Sequence, residues 1–140
     1  MSADFDDRYT INLDDKYGQM ALVDVAGEMA ANEPWFNQTL TAVNDAVVRL
    51  GVIEGDFHWH KHDDTDEFFL VLEGELLLDF EVVREGAGSA RTGAMSSTES
   101  VALAPHQGFT VPRGVVHRTR APRRTSILMV EAEGVAPTGD

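Results

Sequence analysis

The chain has 140 residues, 24 acidic side chains against 11 basic ones, a formal charge of −13 and 43% hydrophobic residues. Those values describe one compact domain with an acidic surface and a core of its own, and they disfavour nucleic acid or an anionic membrane as partners. The absence of cysteine removes disulfides, thiolate metal sites and cysteine nucleophiles. The N-terminus, MSADFDDRYT, is acidic where a signal peptide would be basic, and no apolar run of about 18 residues appears, so a cytoplasmic protein is expected. The acid is unevenly spread. Residues 1–67 carry 15 acids and 4 bases, whereas residues 68–140 carry 9 acids and 7 arginines, five of them between Arg113 and Arg124.

Residues 1–34 are expected to form an N-terminal extension. Within it, Asp24 followed by Val25-Ala26-Gly27-Glu28-Met29-Ala30-Ala31 reads as a short helix with Asp24 as its N-cap, ended before Pro34. From Trp35 the texture changes to short apolar runs punctuated by turn residues every 8 to 12 positions, the pattern of an all-β sandwich or barrel. The predicted strands are 36–43, 46–53, 56–62, 67–72, 75–83, 100–103, 109–111, 115–120 and 126–132, giving a barrel domain over 35–134 and a tail over 135–140. In 75–83, Leu76, Leu78, Phe80 and Val82 share one face and Leu77, Asp79 and Glu81 the other, the period of a strand with one side buried. Residues 84–98 are rich in Gly, Ser and Ala and read as a long flexible connection.

The chemistry is concentrated in Gly55–Gly74, GDFHWHKHDDTDEFFLVLEG. On a strand His60 and His62 point the same way, close enough for two imidazole nitrogens to reach one ion. After the turn at Asp63-Asp64-Thr65-Asp66, Glu67 opens the returning strand, where its carboxylate can close on the same point. A third histidine, His117, follows the turn Val111-Pro112-Arg113-Gly114. Three imidazoles and a carboxylate suit a divalent transition metal, Mn, Fe, Co, Ni, Cu or Zn, better than the oxygen-only sites of Mg or Ca. The spaced acids Asp63, Asp64 and Asp66 lack the glycine and terminal glutamate of a calcium loop and read as a solvated turn.

These residues resemble the two motifs of a single-domain cupin. Gly55, His60-x-His62, Glu67 and Gly74 follow the first motif; Pro112-Arg113-Gly114-Val115-Val116-His117 follows the second. His106 stands near the position of the second motif's leading glycine, and Ala121 replaces its closing asparagine. The resemblance covers about residues 44–132. It implies an all-β cupin jelly-roll barrel holding a metal on His60, His62, Glu67 and His117, and commonly a homodimer.

Three further residues carry two readings each. His58, two before His60, is a candidate general base, spare ligand or ligand support, and equally a hydrogen-bonded interior histidine. His106 sits in a turn and reads as a surface or structural residue. Arg113, in the Pro-x-Gly turn, is a candidate for gripping a carboxylate or phosphate, and equally a solvated charge. Arg118 and Arg120, alternating with His117, should face outward, to pair with the acidic half or a second subunit. Both faces of 67–72 are apolar, so one needs cover from the N-terminal segment or from a second copy. The functional expectation is a metal-dependent enzyme of oxygenase or isomerase type acting on a small oxygenated metabolite; the resemblance implies sugar-phosphate isomerases such as the mannose-6-phosphate enzymes among its relatives. The alternative is a non-catalytic cupin that binds or senses a metal or small ligand.

Overall fold

A computed structural model describes residues 8–85 and 94–140. Among these residues eight strands and one helix follow in the order β1 (Thr10–Asn12), α1 (Val25–Ala31), β2 (Phe36–Val43), β3 (Ala46–Asp56), β4 (Glu67–Glu73), β5 (Leu76–Glu85), β6 (Ala94–Leu103), β7 (Gly108–Val111) and β8 (His117–Ala132). The all-β expectation holds, and the helix starts where its cap was read, with the Asp24 carboxylate accepting from the Gly27 N–H.

One long strand organises the sheet. The segments read as two strands, 115–120 and 126–132, are a single 16-residue strand, β8. Pro122 lies within it, but Pro lacks only its own N–H, and the chain stays extended through it. The C-terminal half of β8 lies between β3 and β4, through Leu50↔Leu128 and Leu70↔Leu128. Its N-terminal half pairs with the end of β3 through Asp56↔Arg120 and with β5 through Leu78↔Thr119 and Phe80↔His117. Beyond these neighbours β2 flanks β3, β1 runs parallel to β2, β7 flanks β4, and β6 flanks β5. The strand expected over 56–62 is mostly irregular: β3 ends at Asp56, and beyond it only His60 forms an isolated bridge.

The predicted connection 84–98 is also shorter than expected. β5 continues to Glu85 and β6 begins at Ala94, paired register by register, because backbone hydrogen bonding does not need apolar side chains once a partner strand is alongside. The middle of that connection, 86–93, and the first seven residues lie outside the described residues.

The inner face holds the main core, including Ile53, Phe69, Val71, Leu78, Ile127 and Met129. The outer face of β2, β3, β4 and β8 carries Phe36, Leu40, Leu50 and Val52, covered by Tyr17, Val23, Val25 and Met29 of the N-terminal segment. The apolar outer face of β4 therefore gets its cover at Leu72 from within the chain. Tyr17 and Lys16 pin that segment to α1 through Glu28, at 2.5 and 2.7 Å.

The arginine cluster is consumed by the fold. Arg118 and Arg120 both donate to Asp79, and Arg124 donates to the Met29 and Asn32 carbonyls at the end of α1. The partner of Arg118 and Arg120 thus comes from the arginine-rich half of the chain. Asp79, on the outward-facing register of β5, is only 2% exposed because the two guanidiniums cover it.

Candidate metal centre

Two glycines with positive φ shape the approach to the site. Gly74 (φ +89) turns β4 toward β5 in a place where a Cβ would lie 2.6 Å from the Arg124 carbonyl. Gly114 (φ +80) makes the turn that brings the chain into His117, and its N–H donates to the His62 carbonyl at 2.8 Å. That bond ties the second motif's turn directly to the first motif's loop.

The four predicted ligands meet. Ligand atoms of His60, His62, Glu67 and His117 all lie within 4.8 Å of one another. Glu67 opens β4 on its inner face and His117 opens β8, whereas His60 and His62 come from the irregular segment, held by the paired backbone hydrogen bonds between His60 and His117. The Nδ1 of His60 lies 3.0 Å from the His58 carbonyl and the Nδ1 of His117 lies 2.9 Å from the Val115 carbonyl. A carbonyl only accepts, so each Nδ1 carries the proton and each Nε2 presents a lone pair.

The donor set fits a metal ion. Buried polar atoms are normally hydrogen-bonded, yet His62 Nε2, His117 Nε2 and Glu67 Oε1 have no hydrogen-bond partner. The two nitrogens lie 3.2 and 3.4 Å from that oxygen, three acceptor-capable atoms grouped around one point. A divalent cation satisfies all three at once, and backbone-oriented imidazoles are the usual support of a metal-binding histidine.

Charge states suit the same role. Burial works against an ionised Glu67, but the neighbouring His117 and His62 outweigh it and hold the carboxyl down at about 2. Burial, aided by His117, lowers His60 to about 4, so its ring is neutral at physiological pH. Burial also acts to lower His62, but the Glu67 carboxylate prevails and raises it.

A second buried carboxylate adjoins the site. Glu131 of β8 pairs with Arg49 of β3 at 2.8 Å and lies 3.9 Å from His62 Nε2. Burial and the nearby Glu67 push Glu131 up to about 8 against the pull of Arg49. Sequence reading missed this pair, although a lone acid at the end of the apolar run Ile127-Leu128-Met129-Val130 was a usable signal.

Beside the ligands is a cavity of about 30 Å³ that includes His60 and Glu67 in its wall. Trp35, Phe57, Phe69 and Met129 make much of the remainder, with Asn37, Thr119 and the Tyr9 ring as its polar members. Tyr9 and Asn37 come from the N-terminal extension and β2, remote from both motifs, and nothing in their local sequence marks them.

The remaining candidates lie elsewhere. His58 stacks on Phe57 with centroids 4.1 Å apart, and its Nε2 donates to the Thr138 carbonyl at 2.8 Å. It lines a separate surface pocket with His60, Trp59 and Asp140. Arg113 is exposed and pairs with Asp66, whose carboxylate also accepts from the Arg113 N–H, in a groove separate from the cavity. His106 is an exposed turn residue at φ 72, with its N–H on the Val71 carbonyl. Asp63 pairs with Lys61, and its N–H donates to Asp140.

Architecture and site together define a cupin fold carrying a group of side chains able to hold a divalent metal. A cupin-2 domain protein of Shewanella frigidimarina superposes with a TM-score of 0.61 at 26% identity, over 79% of this chain and 94% of that one. A hydroquinone 1,2-dioxygenase of Sphingomonas, solved with 4-hydroxybenzoate bound, superposes with a TM-score of 0.58 at 16% identity, over 94% and 92%. No protein-family model matches the sequence. The uncharacterized protein YdbB of Bacillus subtilis is 39% identical over 110 residues, 79% of this chain and 82% of YdbB, and this chain belongs to the same family. No helix among the described residues is long and apolar enough to cross a membrane.

Proposed function

We propose that this protein is a metal-dependent cupin enzyme acting on a small oxygenated molecule, with His60, His62, Glu67 and His117 as the metal ligands. The observation that carries the reading is the convergence of three buried, unpartnered ligand atoms beside an apolar cavity. A divalent metal bound there would polarise a carbonyl or enediol oxygen, or supply oxygen chemistry if redox-active. The chain's own contribution is to orient the His60 and His117 imidazoles through backbone carbonyls, to keep Glu67 ionised, and to exclude bulk water with the aromatic wall. Of the two catalytic candidates, His58, in a surface pocket that shares His60, is better placed than Arg113, which is engaged by Asp66.

Among the described residues no Lys or Arg lines the cavity to grip a phosphate, and its wall is mainly aromatic and aliphatic. Those two facts weigh against the mannose-6-phosphate type of isomerase chemistry.

A second reading is supported by one feature. Among the described residues, and apart from the proposed ligands, Tyr9 is the ionisable side chain of the cavity wall, pushed up to about 12 chiefly by burial, too weak an acid to shuttle protons near neutrality. A barrel that binds its ligand without turnover fits that wall as well. Metal analysis of the purified protein, followed by oxygen uptake and turnover on diols, keto-acids and sugar phosphates, separates the two. Turnover by the metal-loaded protein supports the enzyme; tight calorimetric binding with no turnover supports the binding module; protein purified without metal and unable to take it up removes the metal-dependent enzyme.

We also infer a cytoplasmic homodimer. The outward row Val48, Val130 and Phe68, adjacent across β3, β8 and β4, is apolar and only half-buried. Light scattering that reads a single 15.3 kDa chain at micromolar concentration counts against the dimer.

A further inference from the structure

Residues 136–140 lie across the site and face two spaces. Pro137 lines the cavity of about 30 Å³ beside the ligands, whereas Thr138 and Asp140 line the surface pocket of about 480 Å³ that His58, Trp59 and Val116 help to complete. His60 belongs to both walls. The fit is closest at Gly139, where φ is +98 and a Cβ would lie 2.5 Å from the His60 Cβ and 3.0 Å from its Cγ and Cδ2. Glycine alone lets the main chain rest against this imidazole.

Three hydrogen bonds fasten the segment to the loop that carries the histidines. The His58 Nε2 donates to the Thr138 carbonyl at 2.8 Å, the Asp140 N–H to the Lys61 carbonyl at 2.9 Å, and the Asp63 N–H to the Asp140 carboxylate at 2.6 Å. Residues 136–140 belong to no strand and none of them is buried. Arg49 holds the preceding Val135 carbonyl at 3.0 Å, which fixes where the movable part begins. An irregular segment with few bonds and no buried side chain can open without unfolding the sheet beneath it.

We propose that 136–140 is a strap that closes over the metal centre. Where it lies now, the cavity beside the ligands has room for water and not for an organic molecule. Lifting the strap from His60 joins that cavity to the outer pocket, and the joined space admits a small substrate. Lid movements of this kind expose a site for entry and seal it from water afterwards. The inference rests on the metal-centred reading for what is enclosed and adds how it is reached.

The test uses the full-length chain and the variant Gly139→Val, whose side chain cannot seat against His60. With Co2+ bound, azide added to the protein must reach the metal to change its visible spectrum. Its association is expected to be at least about tenfold faster in the variant, because the open state through which it enters becomes the main one. The Co2+ spectrum before azide is added should match wild type; an altered one would mean that the substitution acts on the ligands, and counts against the strap. In metal-free protein, acylation of His60 by diethylpyrocarbonate, mapped by peptide mass spectrometry, should accelerate similarly while the exposed His106 reacts at an unchanged rate. If Gly139→Val does not fold, Asp140→Ala at an exposed position, which loses the bond from the Asp63 N–H, should raise both rates about fivefold, the effect of one hydrogen bond. Rates equal to wild type overturn the strap. If wild type takes up no Co2+, the metal-centred reading falls, and the acylation rates still decide whether the strap covers His60.

Discussion

His60 and His117 exchange both of their backbone hydrogen bonds, at 2.9 and 2.8 Å, although only His117 belongs to a regular strand. This isolated bridge joins the two histidine-bearing segments, 57 positions apart, and sets their imidazole centroids 4.4 Å apart. The bridge is made by main-chain atoms, so it survives loss of either side chain. The double variant His60→Ala, His117→Ala is therefore expected to keep its β-sheet circular dichroism while losing metal. Elemental analysis should fall from about one equivalent of metal to none; one full equivalent retained would remove these residues from the ligand set.

The protonation of the site predicts how metal binding responds to pH. A proton competes with the metal for each imidazole. His60 is neutral down to about pH 4, but His62 is raised above the ordinary histidine value by Glu67. A proton on His62 thus interferes at higher pH than one on His60. Apparent affinity should be level in mildly alkaline buffer and decline by up to about tenfold per pH unit once pH falls below the raised His62 value, that is, from above about 6.5. A chelator competition series from pH 8 to pH 5 measures this, and an affinity unchanged across that range contradicts it.

Asp79 offers a test of stability. Its carboxylate accepts from Arg120 Nε at 2.6 Å, Arg118 Nε at 2.8 Å and the Ser100 hydroxyl at 2.5 Å. Arg120 leads in holding its pKa well below the carboxylate range, with burial opposing and Ser100 and Arg118 assisting. A depressed folded pKa contributes stability above the unfolded value and loses it as pH falls. Asp79→Asn should cost about 2 kcal/mol at pH 7. The difference from wild type should narrow below about pH 4, where the unfolded carboxyl protonates first. Urea unfolding at pH 7 and at pH 3.5 gives both values; an equal difference at the two would argue against ion pairing as the cause.

Gly74 and Gly114 separate conformational strain from collision. Both have positive φ, but a Cβ at Gly114 meets nothing within 4 Å, whereas at Gly74 it meets the backbone of Arg124 and Thr125. Gly114→Ala is expected to cost about 1 kcal/mol from backbone strain alone, and Gly74→Ala about 3 kcal/mol or more because rigid main chain must also move. Thermal unfolding of the two variants in parallel reads the difference, and equal shifts would mean that the β4–β5 turn can yield.

Much of this protein is legible without its structure. Alternation in Leu76–Val82 and the regular spacing of turn residues establish an all-β chain, since burying one face of a strand demands period two. The spacing from His60 to Glu67 and the turn before His117 point to four ligands, because such a set needs both motifs at once. Asp24 marks the helix start, since a cap acts over only three residues.

Only the tertiary structure decides the rest, because it depends on contacts between segments far apart in the chain. β8 is continuous because β3, β4 and β5 supply partners along its length, which no local property of Pro122 or the arginines encodes. Asp79 looks like a solvent-facing residue of an alternating strand, and it is buried because Arg118 and Arg120 arrive from β8. His60 and His62 converge without the strand predicted for them, through the bridge to His117. Asn37, Tyr9, Arg49 and Glu131 enter the site's surroundings by strand pairing alone. The sequence by itself determined which side chains can bind a metal; the folded chain decided what surrounds them, because the wall of a cavity is assembled from strands that meet only in three dimensions.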